Sequence, residues 1–188
     1  MGALTLSGAE RVLDIGCGTG EFERLAVARF PSLTVVGLDV TPAMVAVARE
    51  KLAGCPTVHL QLGQAEALPF GAGCFDAVVT ANMLHHATPL LRVMREGLRV
   101  LRPDGQFVIV DWCRDFWRAR LAHYWLRLCD PTYMRMYRVR ELQQAFEEEG
   151  ASAQEATRFV VPPLYGMMCV KAVKHADGRA HARQSLGT

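Results

Sequence analysis

The sequence has no paired cysteines, no long hydrophobic run and no large excess of charge, and each absence excludes a class of protein. Its 188 residues include six cysteines, but no two of them form a C-x-x-C pair. A disulfide framework and a cysteine zinc site are therefore both excluded as interpretations. Reduced thiols in a cytoplasmic setting fit better, and we expect no bound metal.

No apolar run is long enough to span a bilayer, and the N-terminal residues lack the basic region and long apolar stretch of a secretory signal. The net charge is only +2, which favours neither a nucleic-acid coat nor an acidic tail. We therefore expect no nucleic-acid partner and no stable membrane insertion, and the oligomeric state stays open. Because 51% of the residues are hydrophobic, a single domain of this length can bury a sizeable core.

A glycine-rich loop follows the first predicted strand. The run from Val12 to Ile15 indicates a short buried strand, and Gly16-Cys17-Gly18-Thr19-Gly20 comes directly after it. A glycine turn between a strand and a helix lets a ligand approach the backbone and aims free N–H groups at it. A dinucleotide-binding loop would have its third glycine where this chain has Glu21. Alone, the loop could also be a tight turn without a ligand.

The loop, with an acid two residues before it, resembles motif I of the class I, Rossmann-like S-adenosylmethionine-dependent methyltransferases. The similarity extends from about Arg11 to about Trp112, and more loosely to Ala172. It implies an α/β fold with a doubly wound, mostly parallel seven-stranded sheet and a C-terminal antiparallel hairpin, in one domain over residues 1–173. We expect the polar residues 174–188 to form a disordered tail.

The resemblance also implies S-adenosylmethionine as the cofactor. In that family the glycines pass close under the methionine part of the cofactor, and the acid before them helps to hold its ammonium group. The residues implied at this end of the cofactor are Asp14, Gly16, Cys17, Gly18 and Gly20.

The second predicted strand, Leu33 to Asp39, ends on an acid. An acid at this strand end can accept hydrogen bonds from both hydroxyls of a ribose. Because Thr41-Pro42 starts a helix directly afterwards, Asp39 is alternatively a helix cap. With the glycine loop beside it, we favour ribose binding. Val40 would then lie against the adenine, and Met44 would line the same pocket unless it is an ordinary core residue.

The segment from Gly63 to Phe70 resembles the family's G-D-A-E-x-L-P-F, in which the acid accepts a hydrogen bond from the adenine amino group. Gln64 replaces that acid here. Its amide oxygen can still accept, and its amide nitrogen can donate to a ring nitrogen. The backbone N–H of Ala65 is the companion contact that the resemblance implies.

The fourth predicted strand, Phe75 to Asn82, is followed by two adjacent histidines. Ligands of an open parallel sheet bind beyond the carboxyl ends of the strands, so Asn82 to His86 should edge the methyl-transfer site, with Asn82 at the cofactor. His86, and less favourably His85, is a candidate general base, although both histidines could simply pack under the loop. The stretch lacks the N/D-P-P-Y/F of methyltransferases that act on base amines, which argues against such an acceptor.

Apolar residues then recur at helical spacing, and a fifth strand follows. The predicted apolar face consists of Leu90, Leu91, Met94, Leu98 and Leu101. The arginines of the other faces, including Arg99, are expected to be solvated. A turn from Arg102 to Gly105 leads into a strand from Gln106 to Trp112, where Asp111 either touches substrate or acts as a cap.

The family pattern ends in residues 113–138, which are rich in arginine and aromatic residues. We predict a helix from about Asp115 to Leu128 and expect the insertion to form a substrate lid. Such a lid suits an anionic or aromatic acceptor. An amphipathic helix at a membrane surface, a dimer interface and ordinary packing are the alternatives.

Together these features predict methyl transfer from S-adenosylmethionine to a small-molecule acceptor by in-line displacement at the sulfonium methyl. Positioning and desolvation can supply much of the acceleration, so no catalytic triad is needed. About ten residues precede the first strand, where this class usually has one or two helices. We therefore keep a non-catalytic cofactor-binding or partner-binding protein as the alternative. Glu21 and Asp14 disfavour a nicotinamide-dependent oxidoreductase.

Overall fold

The computed structural model of the chain describes residues 3–87, 89–129, 134–161 and 165–175. Five strands and three helices alternate at first: β1 (Arg11–Ile15), α1 (Glu21–Arg29), β2 (Thr34–Asp39), α2 (Pro42–Lys51), β3 (Val58–Leu62), β4 (Phe75–Ala81), α3 (Leu90–Val100) and β5 (Leu101–Trp112). A short 3-10 helix, Leu84–His86, lies between β4 and α3. The remaining elements are α4 (Trp117–Cys129), α5 (Val139–Glu148), β6 (Ala151–Val161) and β7 (Tyr165–Lys174).

The strands form one seven-stranded sheet in the order β3-β2-β1-β4-β5-β7-β6. The first five strands in this order pair in parallel, and β7 pairs antiparallel with both β5 and β6. The predicted α/β fold, its sheet and its C-terminal hairpin are confirmed. Because the chain moves outward from β1 to β3 and then returns to β4, the strand order switches between β1 and β4, where such sheets bind ligands.

Two apolar clusters cover the two faces of the sheet. Successive side chains of a strand point to opposite faces, so Val12 and Leu13 of β1 fall into different clusters. The larger cluster extends from β1 to α3, α5 and β7, and Phe107 lies in it. The smaller one packs beneath α1. Burial on both faces explains why β1 reads as a nearly continuous hydrophobic run.

The buried face of α3 differs from the prediction. Leu91 is exposed, whereas Val93, which was not predicted, is fully buried. Met94 and Leu98 of the predicted face are buried, and α3 turns Val93 and Gly97 toward the sheet beside them. The absence of a side chain at Gly97 lets the ring of Phe107 pack against the helix.

Some strand boundaries also differ from the prediction. Leu101 already pairs with Phe75, and residues 102–105 bulge out before Gln106 pairs with Ala77. The strand β6 starts at Ala151 and pairs with β7 along nearly its whole length. Lys174, predicted to open the tail, ends β7 and donates from Nζ to the Leu101 carbonyl at 2.7 Å. The rest of the predicted tail, from 176 onward, lies outside the described residues.

Candidate functional site

A cleft of about 320 Å³ opens at the carboxyl ends of the parallel strands. It is bounded by the chain that follows β1, β2, β3 and β4. The predicted site residues that line it are Gly16, Asp39, Val40, Gln64, Ala65 and His86. The other lining residues are Leu38, Gly63, Glu66, Met83 and Ala87. The cleft is therefore apolar along much of its wall, with a few polar groups at its ends.

The backbone N–H groups of the glycine loop donate to other groups of the protein. The backbone N–H groups of Gly16 and Cys17 both donate to the Leu38 carbonyl, at 2.7 and 3.1 Å, and that of Gly20 donates to Cys17 at 3.0 Å. The expectation that these N–H groups point freely at a ligand is wrong. The bonds instead join the end of β1 to the end of β2, and they fix the loop as a tight floor of the cleft.

Two glycines of this loop lack a side chain for different structural reasons. Gly20 has a φ of 78°, and a Cβ there would lie 2.7 Å from Leu52 Cδ1, so this glycine lets α1 start close to α2. Gly18 has a φ of 53°, and no atom lies within 4 Å of the position that its Cβ would take. A left-handed backbone beside open space leaves room for a ligand to approach the chain. Cys17, directly before Gly18, is buried.

Asp39 joins the glycine loop to the start of α2. One carboxylate oxygen accepts from the Gly18 N–H at 2.9 Å, and the other accepts from the Thr41 N–H at 2.8 Å. The cap residue of α2 is Thr41, and Asp39 contacts the start of this helix only through the N–H of that residue, so the alternative in which Asp39 itself is the helix cap is wrong. Since each carboxylate oxygen can accept a second hydrogen bond, these contacts leave capacity for a diol. The role of Asp39 toward ribose stays a prediction.

Asp14 and Glu23 form a buried carboxyl pair below the loop. Both side chains are buried, and neither Asp14 Oδ1 nor either carboxylate oxygen of Glu23 has a hydrogen-bond partner among the described residues. Burial raises the pKa of Glu23 to about 7. Burial, followed by the neighbouring Glu23 carboxylate, raises the pKa of Asp14 well above its ordinary value. The pair therefore retains a proton close to neutral pH.

Glu23 was missed by the sequence reasoning, which looked only for apolar residues on α1. Leu25 of that helix is exposed, while Glu23 and Ala26 are the buried residues. The available signal was spacing, because Glu23 precedes Ala26 by three positions and so lies on the same face. An acid on an inward-facing position beside a glycine loop was the clue.

The loop after β3 is held by an ion pair from α3. Arg99 donates to the carbonyls of Phe70 and Leu68 at 2.7 and 3.0 Å, and Glu96 accepts from the Leu68 N–H at 2.8 Å. Arg99 and Glu96 also pair with each other at 2.7 Å. The expectation that Arg99 is only a solvated surface residue is wrong. Its backbone contacts fix the segment that carries Gln64 into the cleft.

Val40 and Met44 are the other residues that were predicted to contact the adenine. Val40 is exposed within it, as an open wall would require. Met44 is exposed on α2 and is not among the described residues that line the cleft. Its assignment to the cofactor pocket stays a prediction.

The chain after β4 turns sharply into the 3-10 helix. Asn82 has a φ of 53°, a left-handed conformation that asparagine tolerates better than most residues, and its N–H donates to the Val110 carbonyl at 2.9 Å. This turn sends the two histidines in different directions. His86 is exposed and lines the cleft, whereas His85 is buried behind it, with 4.1 Å between the ring centroids.

His85 is held in place by the end of β5. Its Nδ1 lies 2.8 Å from Asp111 Oδ1, and Asp111 Oδ2 accepts from the Leu84 N–H, also at 2.8 Å. The ring stacks on Trp112 at a centroid distance of 5.1 Å. For Asp111 the sequence left a choice between touching substrate and capping. In the structure this buried carboxylate orients His85 and fixes the 3-10 helix.

The insertion 113–138 returns to the same histidine. The backbone N–H groups of Met134 and Arg135 donate to the His85 carbonyl at 2.9 and 3.2 Å. A parallel β-bridge between the backbones of Cys113 and Tyr137 joins the two ends of the insertion. None of its described residues is among those lining the cleft, so the lid stays a prediction.

Within the part of the chain that the structure describes, no group of three or more histidine, cysteine, aspartate or glutamate side chains could hold a metal ion. No helix there is long and apolar enough to cross a bilayer. None of the six cysteines forms a disulfide.

Comparison with known proteins identifies the family. A family model described as "Methyltransferase domain" matches residues 13–109. The uncharacterized methyltransferase YcgJ of Bacillus subtilis is 34% identical over 174 residues, which cover 89% of this chain and 67% of that protein. The ubiquinone/menaquinone biosynthesis C-methyltransferase UbiE of Geobacter sulfurreducens is 36% identical over 128 residues, which cover 63% of this chain and 49% of UbiE.

A solved structure shares the fold. The S-adenosylmethionine-dependent methyltransferase from Mesorhizobium loti superposes with a TM-score of 0.76 at 20% sequence identity, over 92% of this chain and 94% of that one. The sequence relatives are longer, since this chain spans 67% of YcgJ and about half of UbiE. The family match covers the glycine loop, Asp39 and both histidines. The chain belongs to the methyltransferase domain family.

Proposed function

We propose that this chain methylates a small-molecule acceptor that enters the cleft beside His86. The observation that carries the proposal is the position of the cleft, where glycine loop, Asp39, Gln64 and His86 meet at the carboxyl ends of four neighbouring strands. In such sheets this edge beside the strand-order switch is where ligands bind. The cleft joins a cofactor side and an acceptor side in one space.

The residues present fit the cofactor. Asp14 Oδ1 is a buried carboxylate oxygen without a hydrogen-bond partner in the described part of the chain, and such an oxygen suits an ammonium group. We assign Asp14 to the amino group and Asp39 to the ribose hydroxyls. Gln64 and the Ala65 N–H face the adenine, against Val40. The N–H groups of Gly16, Cys17, Gly18 and Gly20 donate within the protein, so these residues shape the floor without a hydrogen bond to the cofactor. Asn82, which follows β4, is the remaining residue that we assign to the cofactor.

The acceptor side is assigned to the two histidines. When bound, S-adenosylmethionine supplies a methyl group that its sulfonium charge has already activated. His86 is the residue that we expect to contact the acceptor and to take a proton from its hydroxyl, amine, thiol or acidic carbon. His85, fixed by Asp111, positions the 3-10 helix and is the second candidate for this role. Leu38, Met83 and Ala87 exclude water from the same space.

The apolar wall favours an acceptor with an apolar or aromatic body. The Geobacter relative is named as a C-methyltransferase of ubiquinone and menaquinone biosynthesis, and this name supports a compact aromatic acceptor for this chain as well. The absence of a family motif for base amines supports a small molecule over a nucleic acid.

A two-stage assay tests this function. Calorimetry with S-adenosylmethionine should show one site per chain, and labelled methyl transfer should then be measured over quinols, phenols, amines, thiols and carboxylates. We expect a product with at least one acceptor class and a loss of about 10²–10⁴-fold in kcat for His86→Ala. A chain that binds the cofactor but methylates no member of the panel would instead support the non-catalytic alternative.

A further inference from the structure

The helix α4 exposes two tryptophans, a tyrosine and a leucine, whereas its Leu126 is half-buried beside Ala119. Trp117 is 65% exposed, Tyr124 67%, Trp125 63% and Leu128 87%. The inward positions of the same helix carry Ala119 and His123, which are buried. An ordinary surface helix has the opposite arrangement, with its apolar stripe toward the core. The outward aromatic stripe therefore contributes little to folding and needs another explanation.

These residues form one continuous face. Trp117, Tyr124 and Leu128 are seven and four positions apart, which places them above one another on the same side of the helix, and Trp125 is adjacent. Arg118 and Arg120 flank this face and are exposed, and the Arg118 guanidinium lies 5.0 Å from the Trp117 ring centroid. The sequence of α4 contains three arginines and no acid. We call this surface, Trp117 to Leu128, the aromatic face.

We propose that the aromatic face docks on an anionic lipid bilayer surface, lying in the plane of the headgroups. Tryptophan and tyrosine rings are the side chains that suit the headgroup level, because each has an apolar body and a polar edge. Arginines beside them bury their stems and keep the guanidinium at the phosphates. A helix with this pattern lies on a membrane and does not cross it.

Charge selects this partner over a second copy of the chain. In a two-fold contact the aromatic face would meet itself, so Arg118 and Arg120 would face the arginines of the other copy. No acid on α4 could pair with them. An anionic surface instead offers phosphates to every arginine that flanks the stripe.

The helix that carries the docking face packs close to His85, because Ala119 and Trp112 share one apolar cluster and the Trp112 ring stacks on His85. The chain after α4 returns to the His85 carbonyl through the N–H groups of Met134 and Arg135. Docking would thus bring a bilayer near the histidines, which suits an acceptor dissolved in lipid. The proposal itself concerns binding alone, and it stands or falls independently of methyl transfer.

Vesicle flotation tests the proposal with the full chain. Phosphatidylcholine vesicles are compared with vesicles of phosphatidylcholine and phosphatidylglycerol, and tryptophan fluorescence is recorded in parallel. We expect binding and a blue shift only with the anionic vesicles, weakening as salt is raised. Arg118→Glu with Arg120→Glu should weaken binding by roughly tenfold or more, and so should Trp117→Ala with Trp125→Ala.

Matched controls separate this face from general charge. Arg29→Glu with Arg92→Glu changes the net charge equally on other helices, and both side chains are exposed. This pair should keep most of the vesicle binding. Equal weakening by both arginine pairs, or no binding to anionic vesicles, would overturn the proposal. A concentration-dependent dimer lost in Trp117→Ala with Trp125→Ala would also overturn it. Circular dichroism and cofactor binding confirm that each variant is folded.

Discussion

The cleft and the aromatic face use similar side chains in opposite ways. In the sheet below the cleft, Phe107 is buried and its ring is enclosed by α3 and by Phe146, 5.3 Å away between centroids. On α4, Trp117 is 65% exposed, and the Arg118 guanidinium lies over its ring. The first region lies inside the family match at 13–109 and the second lies outside it. The aromatic side chains of the first region therefore stabilise the fold, whereas those of the second are available to a partner.

The largest expected effect separates these two roles directly. Phe107→Ala should lower the free energy of unfolding by about 3–5 kcal/mol, because it leaves a cavity between α3 and the sheet. Trp117→Ala should change it by less than about 0.5 kcal/mol, because the ring is exposed. Urea unfolding of both variants measures the difference. A large loss for Trp117→Ala would mean that the aromatic face is a packing surface.

The carboxyl pair below the cleft should give the fold a specific pH dependence. Glu23 has an ordinary pKa of 4.5 and a folded pKa of about 7, so its stabilising contribution is complete below 4.5 and is lost as the pH rises through 7. Glu23→Gln resembles the protonated form and should not lose it. Above pH 7 the variant should therefore be more stable than the wild type, by at most about 3 kcal/mol, and the difference should shrink toward pH 4.5.

Glu21→Gln is the control on the same helix. Glu21 is exposed, and its hydrogen bond with Arg24 lowers its pKa, so its contribution is present at neutral pH and is lost as the pH falls. Its difference from the wild type should therefore have the opposite sign. Urea unfolding of the three proteins from pH 4 to pH 8 makes the comparison. A Glu23→Gln curve parallel to that of the wild type would contradict the assignment of this pair.

Asp39→Ala should weaken S-adenosylmethionine binding by about 1–3 kcal/mol, since charge-assisted hydrogen bonds are lost. Asp39→Asn keeps one acceptor oxygen and should lose less. Glu147→Ala removes the same charge from an exposed position on α5 and should leave the dissociation constant unchanged. Calorimetry compares the three variants. An unchanged constant for Asp39→Ala would remove this residue from the cofactor site.

The smallest predicted effect concerns the loop that carries Gln64. Arg99→Met should lower the free energy of unfolding by about 1–2 kcal/mol, because the carbonyls of Leu68 and Phe70 lose their donor. Arg92→Met replaces an exposed arginine of the same helix and should change the free energy of unfolding by less than about 0.5 kcal/mol. Amide hydrogen exchange at Leu68 offers a second readout. Equal exchange in both variants would show that Arg99 does not hold this loop.

The sequence predicted the strands and the glycine loop because their signals are local. A buried parallel strand such as β1 reads as a continuous apolar run, and the glycines must follow it directly. Val93 and Arg99 were beyond reach because their roles depend on what packs against them. The bond between His85 and Asp111 joins residues that are far apart in the chain, and only the pairing of β4 with β5 brings them together.

The most direct test is a crystal structure of the chain with S-adenosylhomocysteine. The account predicts the adenosine in the cleft against Val40 and Gln64, both ribose hydroxyls within hydrogen-bond distance of the Asp39 carboxylate, and the amino-acid end directed past Gly18 toward Asp14. A nucleoside bound elsewhere, or ribose hydroxyls out of reach of Asp39, would contradict it.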